Sequence, residues 1–468
     1  MTLTLPCPAP CDHEERVDTT TLTPQSRHLP PSGNGRSSDR AAPRLRSVTR
    51  APARDVTPVE VMTTGARLKL IMILGALTAL GPLTIDTYLP ALPSITRTLR
   101  STSATVGLTL TGTLIGFALG QLVVGPISDT VGRRRPILYG AALHILASIL
   151  CAVAPNVATL CASRVIQGIA ASGAAVVALA IVRDVANGRA FVVMMSRLLL
   201  VMGAAPVLAP TLGSQILRWT QWRGVFVTLA VISVLLLAVT AFVLPETLPR
   251  HRRLRGGVRA TASAYRVLLR DRTFVGLALV AGLTMSGIFG YVGGASFVMQ
   301  QQYGLSVQQF GLVFGAGSVS LIIGTQLNPR LVARWTSARV LGGTLTVGTA
   351  AAAVLVAAAA TGLGGLPGLL LPLWLVLASI GVALPNSPAL ALNGHGETAG
   401  TAAALLGAAQ FGVAGLVGPI FTVLGVSAAS MAIVIAGGLA LTLLVYLLVV
   451  QPWRLEPLAA DAVRVAVH

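Results

Sequence analysis

Charge is what this sequence lacks. Only 10% of its 468 residues are Asp, Glu, Lys or Arg, and 54% are hydrophobic, whereas about a quarter of a soluble domain is charged. With a mean hydropathy of +0.78, the chain has too few polar side chains to cover a water-facing globule, which places it in a bilayer. Cysteine is scarce as well. Of the four, Cys151 and Cys161 fall in apolar runs, and Cys7 and Cys11 fall in an irregular stretch with no partner histidines, so neither a disulfide framework nor a zinc site is indicated. His144 and His395 stand isolated, no His/Glu metal cluster is visible, and no Gly-Lys-Ser/Thr loop is present to cradle a phosphate. These absences argue against an enzyme, a metal, a cofactor or ATP drive. No ring of charges or filter-like repeat suggests a channel.

What the sequence has in abundance is long apolar runs. Runs of about 20 residues predict helices at about 68–92, 104–125, 136–154, 158–181, 192–215, 223–245, 273–299, 307–328, 338–361, 367–390, 399–423 and 426–450. The expectation is an all-α membrane protein of twelve spans. The formal net charge of +19 is explained by topology and not by nucleic acid. Arg133–Arg135, then Arg183, Arg189 and Arg197, then the cluster from Arg250 to Arg272, then Arg330, Arg334 and Arg339 all fall on one side. The other side receives only Arg97, Arg100, Arg218 and Arg223. By the positive-inside rule the first set is cytoplasmic, with both termini inside a cytoplasmic (inner) cell membrane.

Residues 1–66 form a tail, rich in Pro, Ser, Thr and Arg at least as far as residue 61 and without a signal-peptide core; it is expected to be disordered. Met62 opens a short basic lead into span 1 and is an alternative translation start. The chain then divides into a six-helix half at 67–245, a basic cytoplasmic linker at 246–272, a second half at 273–451 and a tail at 452–468. Gly107 and Gly311 share one offset with Gly120 and Gly324, each pair in the second span of its half. This weak echo implies a duplicated unit and two pseudo-symmetric halves.

Fifteen acids are present, and all but one fall in tails, loops or helix ends. The exception is Asp86, in Gly81-Pro-Leu-Thr-Ile-Asp86-Thr-Tyr88-Leu-Pro90-Ala-Leu-Pro93 of span 1. An ionisable group at that depth is costly and by default functional. Burial favours its neutral acid and a nearby cation its carboxylate; a proton carrier must switch between the two. Arg164 of span 4 enters from the same side to a similar depth, so a pair with Asp86 is geometrically possible. The plainer alternative is that Asp86 caps a helix end and Arg164 snorkels to the interface.

The turn Gly125-Pro-Ile-Ser-Asp129-Thr-Val-Gly132-Arg133-Arg134-Arg135 resembles the loop between helices two and three of the major facilitator superfamily. In the second half it survives only as Asn328-Pro-Arg330-Leu-Val-Ala-Arg334, with Ala333 where Asp129 stood. The segment from Asp86 to Pro93, Phe117-Ala-Leu-Gly120-Gln121 through Pro126, Val182-Arg183-Asp184-Val185, and Leu244-Pro-Glu246-Thr247-Leu248-Pro249 together resemble the twelve-span drug:proton antiporters, specifically the Bcr/CflA drug-resistance family. The resemblance covers about residues 66–452 and is dense in the first half. It implies the major facilitator fold and a conformational latch in which Asp129 and Asp184 accept bonds from Arg133. It also implies an antiporter-like role for Gly203-Ala-Ala-Pro206-Val-Leu-Ala-Pro210-Thr-Leu-Gly213 in span 5, although the family's adjacent Gly-Pro and Gly-Gly pairs are absent.

Few polar groups are available to line a central cavity. Tyr88, Gln167, Tyr291, Asn386 and Gln410 are candidates for substrate contact, and each is equally a candidate for helix packing. The function expected is proton-coupled export of small lipophilic drugs or antibiotics by a monomer surrounded by membrane lipid, with protons and a small-molecule substrate as its partners. The alternative is transport of a metabolite such as an amino acid or sugar on the same fold.

Overall fold

The computed structural model describes residues 64–186, 188–253, 257–393, 395 and 399–455. Most of the N-terminal tail, with Met62, and the C-terminal tail beyond 455 lie outside the described residues. Among the described residues, twelve helices are long and apolar enough to cross a membrane. They are Leu68–Thr98, Ser103–Val131, Arg134–Ala152, Val157–Val185, Val193–Trp219 and Trp222–Val243, then Arg272–Gln302, Val307–Val332, Ser337–Thr361, Gly365–Leu392, Gly400–Leu424 and Ala428–Arg454. They are called spans 1 to 12 below. Between the sixth and seventh lies a short linker helix, Gly257–Leu268.

Several spans start at the polar residue that the intervening turn supplies. Thr102, Asn156, Asp271, Ser306, Thr336 and Ser427 each accept a hydrogen bond from an amide of the first turn, satisfying donors that the helix itself leaves open. Between the caps, the two halves pack by one scheme. Span 1 packs on 4 and 5, span 2 on 4, and span 3 on 4 and 6; likewise span 7 packs on 10 and 11, span 8 on 10, and span 9 on 10 and 12. The glycine echo has a matching physical role at one of its two pairs. Gly120 brings span 2 so close to span 4 that an added methyl would lie 2.7 Å from Ile169 O, and one added at Gly324 would overlap Ala378 O of span 10. Gly107, by contrast, faces open space.

The halves meet along spans 2 and 11 and along spans 5 and 8. Proline opens the backbone ladder in spans 2, 5 and 10. Pro126, Pro210 and Pro385 cannot donate to the carbonyls four residues earlier, and in a bilayer no water stands in. Leu122 O accepts from Tyr265 Oη of the linker helix at 3.2 Å, Pro206 O from Ser318 Oγ of span 8 at 3.3 Å, and Gly381 O from Thr325 Oγ1 of span 8 at 3.2 Å.

Span 1 is longer than its apolar run predicts, because it is built in pieces. A regular helix ends at Asp86, a 3-10 turn follows over Leu89–Ala91, and a short helix completes it over Leu92–Thr98. Pro90 and Pro93 break the regular ladder, and the irregular backbone is sealed by span 7: Ser296 Oγ donates to Leu89 O at 2.5 Å and Gln300 Nε2 to Pro90 O at 3.3 Å. Both bonds join the two halves at the end of the bundle opposite the linker.

Span 5 separates the glycines of its motif. It runs as a continuous helix through Pro206 and Pro210. A methyl group added at Gly213 would overlap the Thr87 carbonyl in the broken part of span 1, whereas one at Gly203 would find Ile322 of span 8 at 4.0 Å and nothing nearer. Gly213→Ala should therefore cost about 1–3 kcal/mol of stability through overpacking, and Gly203→Ala should be close to neutral. Thermal unfolding of the purified variants in detergent checks this; equal melting shifts would contradict it.

Candidate functional site

Asp86 closes the regular helix of span 1, and its side chain lines a central cavity of about 300 Å3. The wall is drawn from both halves and is mostly apolar: Phe117 from span 2, Phe289 from span 7, Phe314 from span 8 and Phe411 from span 11. Asp86 is only 6% exposed, and no hydrogen-bond partner for it is found among the described residues. The backbone gives its charge no help, since a helix C-terminus presents carbonyls to it.

Arg164 is completely buried. Its Nη1 donates to Thr84 O at 2.9 Å and to Gln167 Oε1 at 2.7 Å, and its guanidinium lies 4.1 Å from the centre of the Tyr88 ring, a favourable cation–π contact. Nε and Nη2 have no partner. The ion pair with Asp86 is thus not formed in this conformation; the described pairs are Arg133–Asp129, Arg133–Asp184, Arg253–Glu246 and His395–Asp271. Arg164 does not snorkel either.

The reading of His144 as isolated is corrected by the fold. Its Nε2 lies 2.9 Å from Thr84 Oγ1 and its Nδ1 2.7 Å from Ser233 Oγ, while Ser148 Oγ accepts from Gln167 Nε2 at 2.8 Å. A buried polar network therefore ties spans 1, 3, 4 and 6 together around Arg164. No sequence pattern marks it, because its members are one or two polar residues in each of four separate apolar runs. His395 likewise has a partner, Asp271 Oδ2 at 3.3 Å.

Two of the five substrate-contact candidates, Tyr88 and Gln167, belong to this network instead. Tyr88 is bonded to Thr109 at 3.2 Å and covered by Arg164, and Gln167 bridges Arg164 to Ser148. A third, Asn386, donates to Asn328 Oδ1 at 2.7 Å and holds span 10 to span 8. Tyr291 does line the central cavity, and Gln410 lines a second cavity of about 470 Å3 nearer the linker end. The two cavities share Gln121, Val176 and Leu179 in their walls and so adjoin on the linker side of the central space, while at the opposite end Ser296 and Gln300 bond span 7 to span 1.

The arginine turn borders the second cavity. Arg133 Nη1 donates to Asp129 Oδ1 at 2.5 Å and to Ser128 Oγ at 2.8 Å, and its Nε donates to Asp184 Oδ2 at 2.8 Å. Burial works against the guanidinium charge, but the bonds and charges of Asp184 and then Asp129 outweigh it and raise its pKa. Gly132 turns the chain with φ +101°, a conformation that favours glycine, and a methyl there would overlap Glu246 Oε2. Gly125 meets only an ordinary contact, 3.6 Å to Val176. Arg134 uses its side chain on Ala241 O and not on an acid.

Glu246 is the member that the sequence reading left out. Its Oε1 accepts from the amides of Arg133 at 2.8 Å and Leu248 at 3.0 Å, and its Oε2 accepts from the amide of Arg134 at 3.3 Å. All four residues of this cluster, Asp129, Arg133, Asp184 and Glu246, belong to the first half or its edge. In this conformation the cluster braces spans 2, 3, 4 and 6 and makes no described bridge to the second half. There the neutral Asn328–Asn386 pair stands at the corresponding end of spans 8 and 10.

The Major Facilitator Superfamily model matches residues 74–419. The chain belongs to this superfamily. It is therefore a multi-pass membrane transporter and not an enzyme. The uncharacterized MFS-type transporter YdgK of Bacillus subtilis strain 168 is 37% identical over 356 residues, 76% of this chain and 88% of the relative. The bicyclomycin resistance protein homolog of Haemophilus influenzae is 29% identical over 359 residues, 75% of this chain and 88% of the relative. The crystal structure of a D-xylose-proton symporter superposes with a TM-score of 0.65 at 17% identity, over 84% of this chain and 99% of that one, a likeness of fold alone.

Burial pushes the Glu246 carboxyl up, but the three amides and Arg253 together outweigh it and hold the pKa below the usual carboxylate value. A lowered folded-state pKa means that stability is present above the unfolded value, about 4.3, and is lost as pH falls through the folded one. Glu246→Gln should therefore destabilise the transporter at pH 7, and its difference from the wild type should shrink below about pH 4. Melting temperatures of both proteins across that range test it, and a difference independent of pH would contradict it.

Proposed function

We propose that this transporter is a proton-coupled antiporter that expels small lipophilic compounds, drugs or antibiotics among them, by alternating access. The observation that carries the reading is Asp86: a buried carboxyl group with no described hydrogen-bond partner, facing an otherwise apolar cavity between the halves. As a carboxylate it costs several kcal/mol at that site unless it is paired. Arg164 supplies the missing donors, since Nε and Nη2 are unbonded. Proton loss therefore favours closure of spans 1 and 4 around the pair, and proton uptake or a cationic substrate relaxes it. The same two states change the break in span 1 that begins at Asp86 and ends in the seal on Ser296 and Gln300.

Three further points support the reading. The cavity wall is mostly phenylalanine and aliphatic side chains, which suits lipophilic compounds better than an amino acid or sugar. A relative of similar length is named a bicyclomycin resistance protein homolog. The arginines gather at the linker end, which by the positive-inside rule favours a cytoplasmic linker and termini, with the cavity open toward that side. Asp129, Arg133, Asp184 and Glu246 keep the inner ends of the first-half helices as one body while the halves rock. The protein acts as a monomer in lipid.

Asp86→Asn should insert normally and lose gradient-driven efflux, because an amide exchanges no proton; Asp129→Ala should lower turnover more than substrate binding, since it acts on the conformational equilibrium. The checks are drug accumulation in cells expressing each form and transport into everted vesicles, with and without a protonophore. Gradient-driven efflux retained by Asp86→Asn would overturn the reading. Gradient-dependent accumulation inside cells expressing the wild type, above that in cells without it, would make the protein an importer.

A further inference from the structure

Tyr291 sits in span 7 between glycines that let neighbouring helices close on it, and it is 2% exposed. Its ring stacks on Phe314 of span 8 at 4.8 Å with an interplanar angle of 16°. The ring is therefore fixed, and the residue lines the central cavity. Its hydroxyl is buried without a hydrogen-bond partner, and so is Nε1 of Trp374 in span 10. The two orphaned groups lie close together. A methyl group built on Gly317, which also lines the cavity, would be 3.0 Å from Tyr291 Oη and 3.5 Å from Trp374 Nε1.

A buried polar group left unpaired costs about 1–3 kcal/mol, and native structures seldom carry two side by side without a reason. An indole N–H only donates, and a phenol hydroxyl donates one proton and can also accept, but in this structure neither proton meets an acceptor. Around them the wall is apolar, with Phe314, Leu321 and Leu377. What the pair lacks is an acceptor.

We propose that Tyr291 and Trp374 form a donor subsite that takes an acceptor oxygen of the transported compound, such as a ketone, ester or amide carbonyl, while Asp86 takes its cationic or hydrogen-bond-donating end. The inference rests on the reading of the cavity as the binding site for small lipophilic compounds and specifies their polarity. The transported compound has an apolar body for Phe117, Phe289 and Phe411, with a donor or positive group at the first-half wall and a carbonyl-type oxygen at the second-half wall. Gly317 keeps the subsite open, because any side chain there occupies the space beside both donors.

The test uses the full-length purified protein and two nearly isosteric cations, trimethyl(phenethyl)ammonium and trimethyl(phenacyl)ammonium, which differ by a carbonyl in place of a methylene. Equilibrium binding should favour the phenacyl ion by about tenfold. Tyr291→Phe with Trp374→Phe, which keeps the ring stack on Phe314, should abolish the preference while the phenethyl ion binds as before. Gly317→Ala should do the same, and Asp86→Asn should weaken both ions alike. Equal binding of the two ions by the wild type, or a preference that survives the double variant, overturns the subsite and leaves the cavity's role as a binding site intact. Binding of neither ion overturns the subsite and, with it, the assignment of Asp86 as a cation site.

Discussion

Every backbone carbonyl in a lipid-embedded chain must find its donor within the protein, and this chain makes that constraint harder by putting proline inside its spans. The solution is tertiary. A hydroxyl from another helix reaches the carbonyl that each of three prolines cannot serve: Tyr265 on Leu122, Ser318 on Pro206 and Thr325 on Gly381. Two of these bonds cross from the first half to the second half or to the linker. One of them, Ser318 on Pro206, joins the halves directly, and each is a single, side-chain-mediated bond. Such contacts can be exchanged one at a time as helices slide, which a continuous hydrophobic seam between close-packed spans does not permit so readily.

The two halves share a packing scheme but not a distribution of charge. Asp86, Arg164 and the Asp129–Arg133–Asp184 cluster all lie in the first half, and the second half answers the cluster with an uncharged Asn328–Asn386 pair. A buried ionised group costs several kcal/mol, so concentrating the ionisable groups on one side leaves the other free to form an apolar wall. The phenylalanines from spans 7, 8 and 11 occupy that wall. A buried arginine with two unused donors and a buried acid with none to accept from lie in packed spans of one half without forming an ion pair in this conformation. The network of Thr84, His144, Ser148, Ser233 and Gln167 holds the arginine where it is, so the acid end is the one left to move.

The sequence by itself determined the bilayer, the twelve spans, the duplicated scheme and the outlier status of Asp86. Each of these follows from local composition: an apolar run of sufficient length has to span, and an acid inside one has to be accounted for. The Asp129–Arg133 contact was legible too, through the resemblance of the arginine turn to the major facilitator loop. Tertiary structure alone decided the rest. It put Glu246 under the amides of Arg133 and Arg134, removed Tyr88 and Gln167 from the cavity, gave His144 its partners, and distinguished Gly213, which touches the Thr87 carbonyl, from Gly203, which touches almost nothing. The physical reason is that a polar residue in a transmembrane helix looks the same in sequence whether it faces a neighbour or a cavity. Which of the two it faces depends on the rotation of its helix and on the backbone distance to the next one, and both are set by contacts with residues far away in the chain.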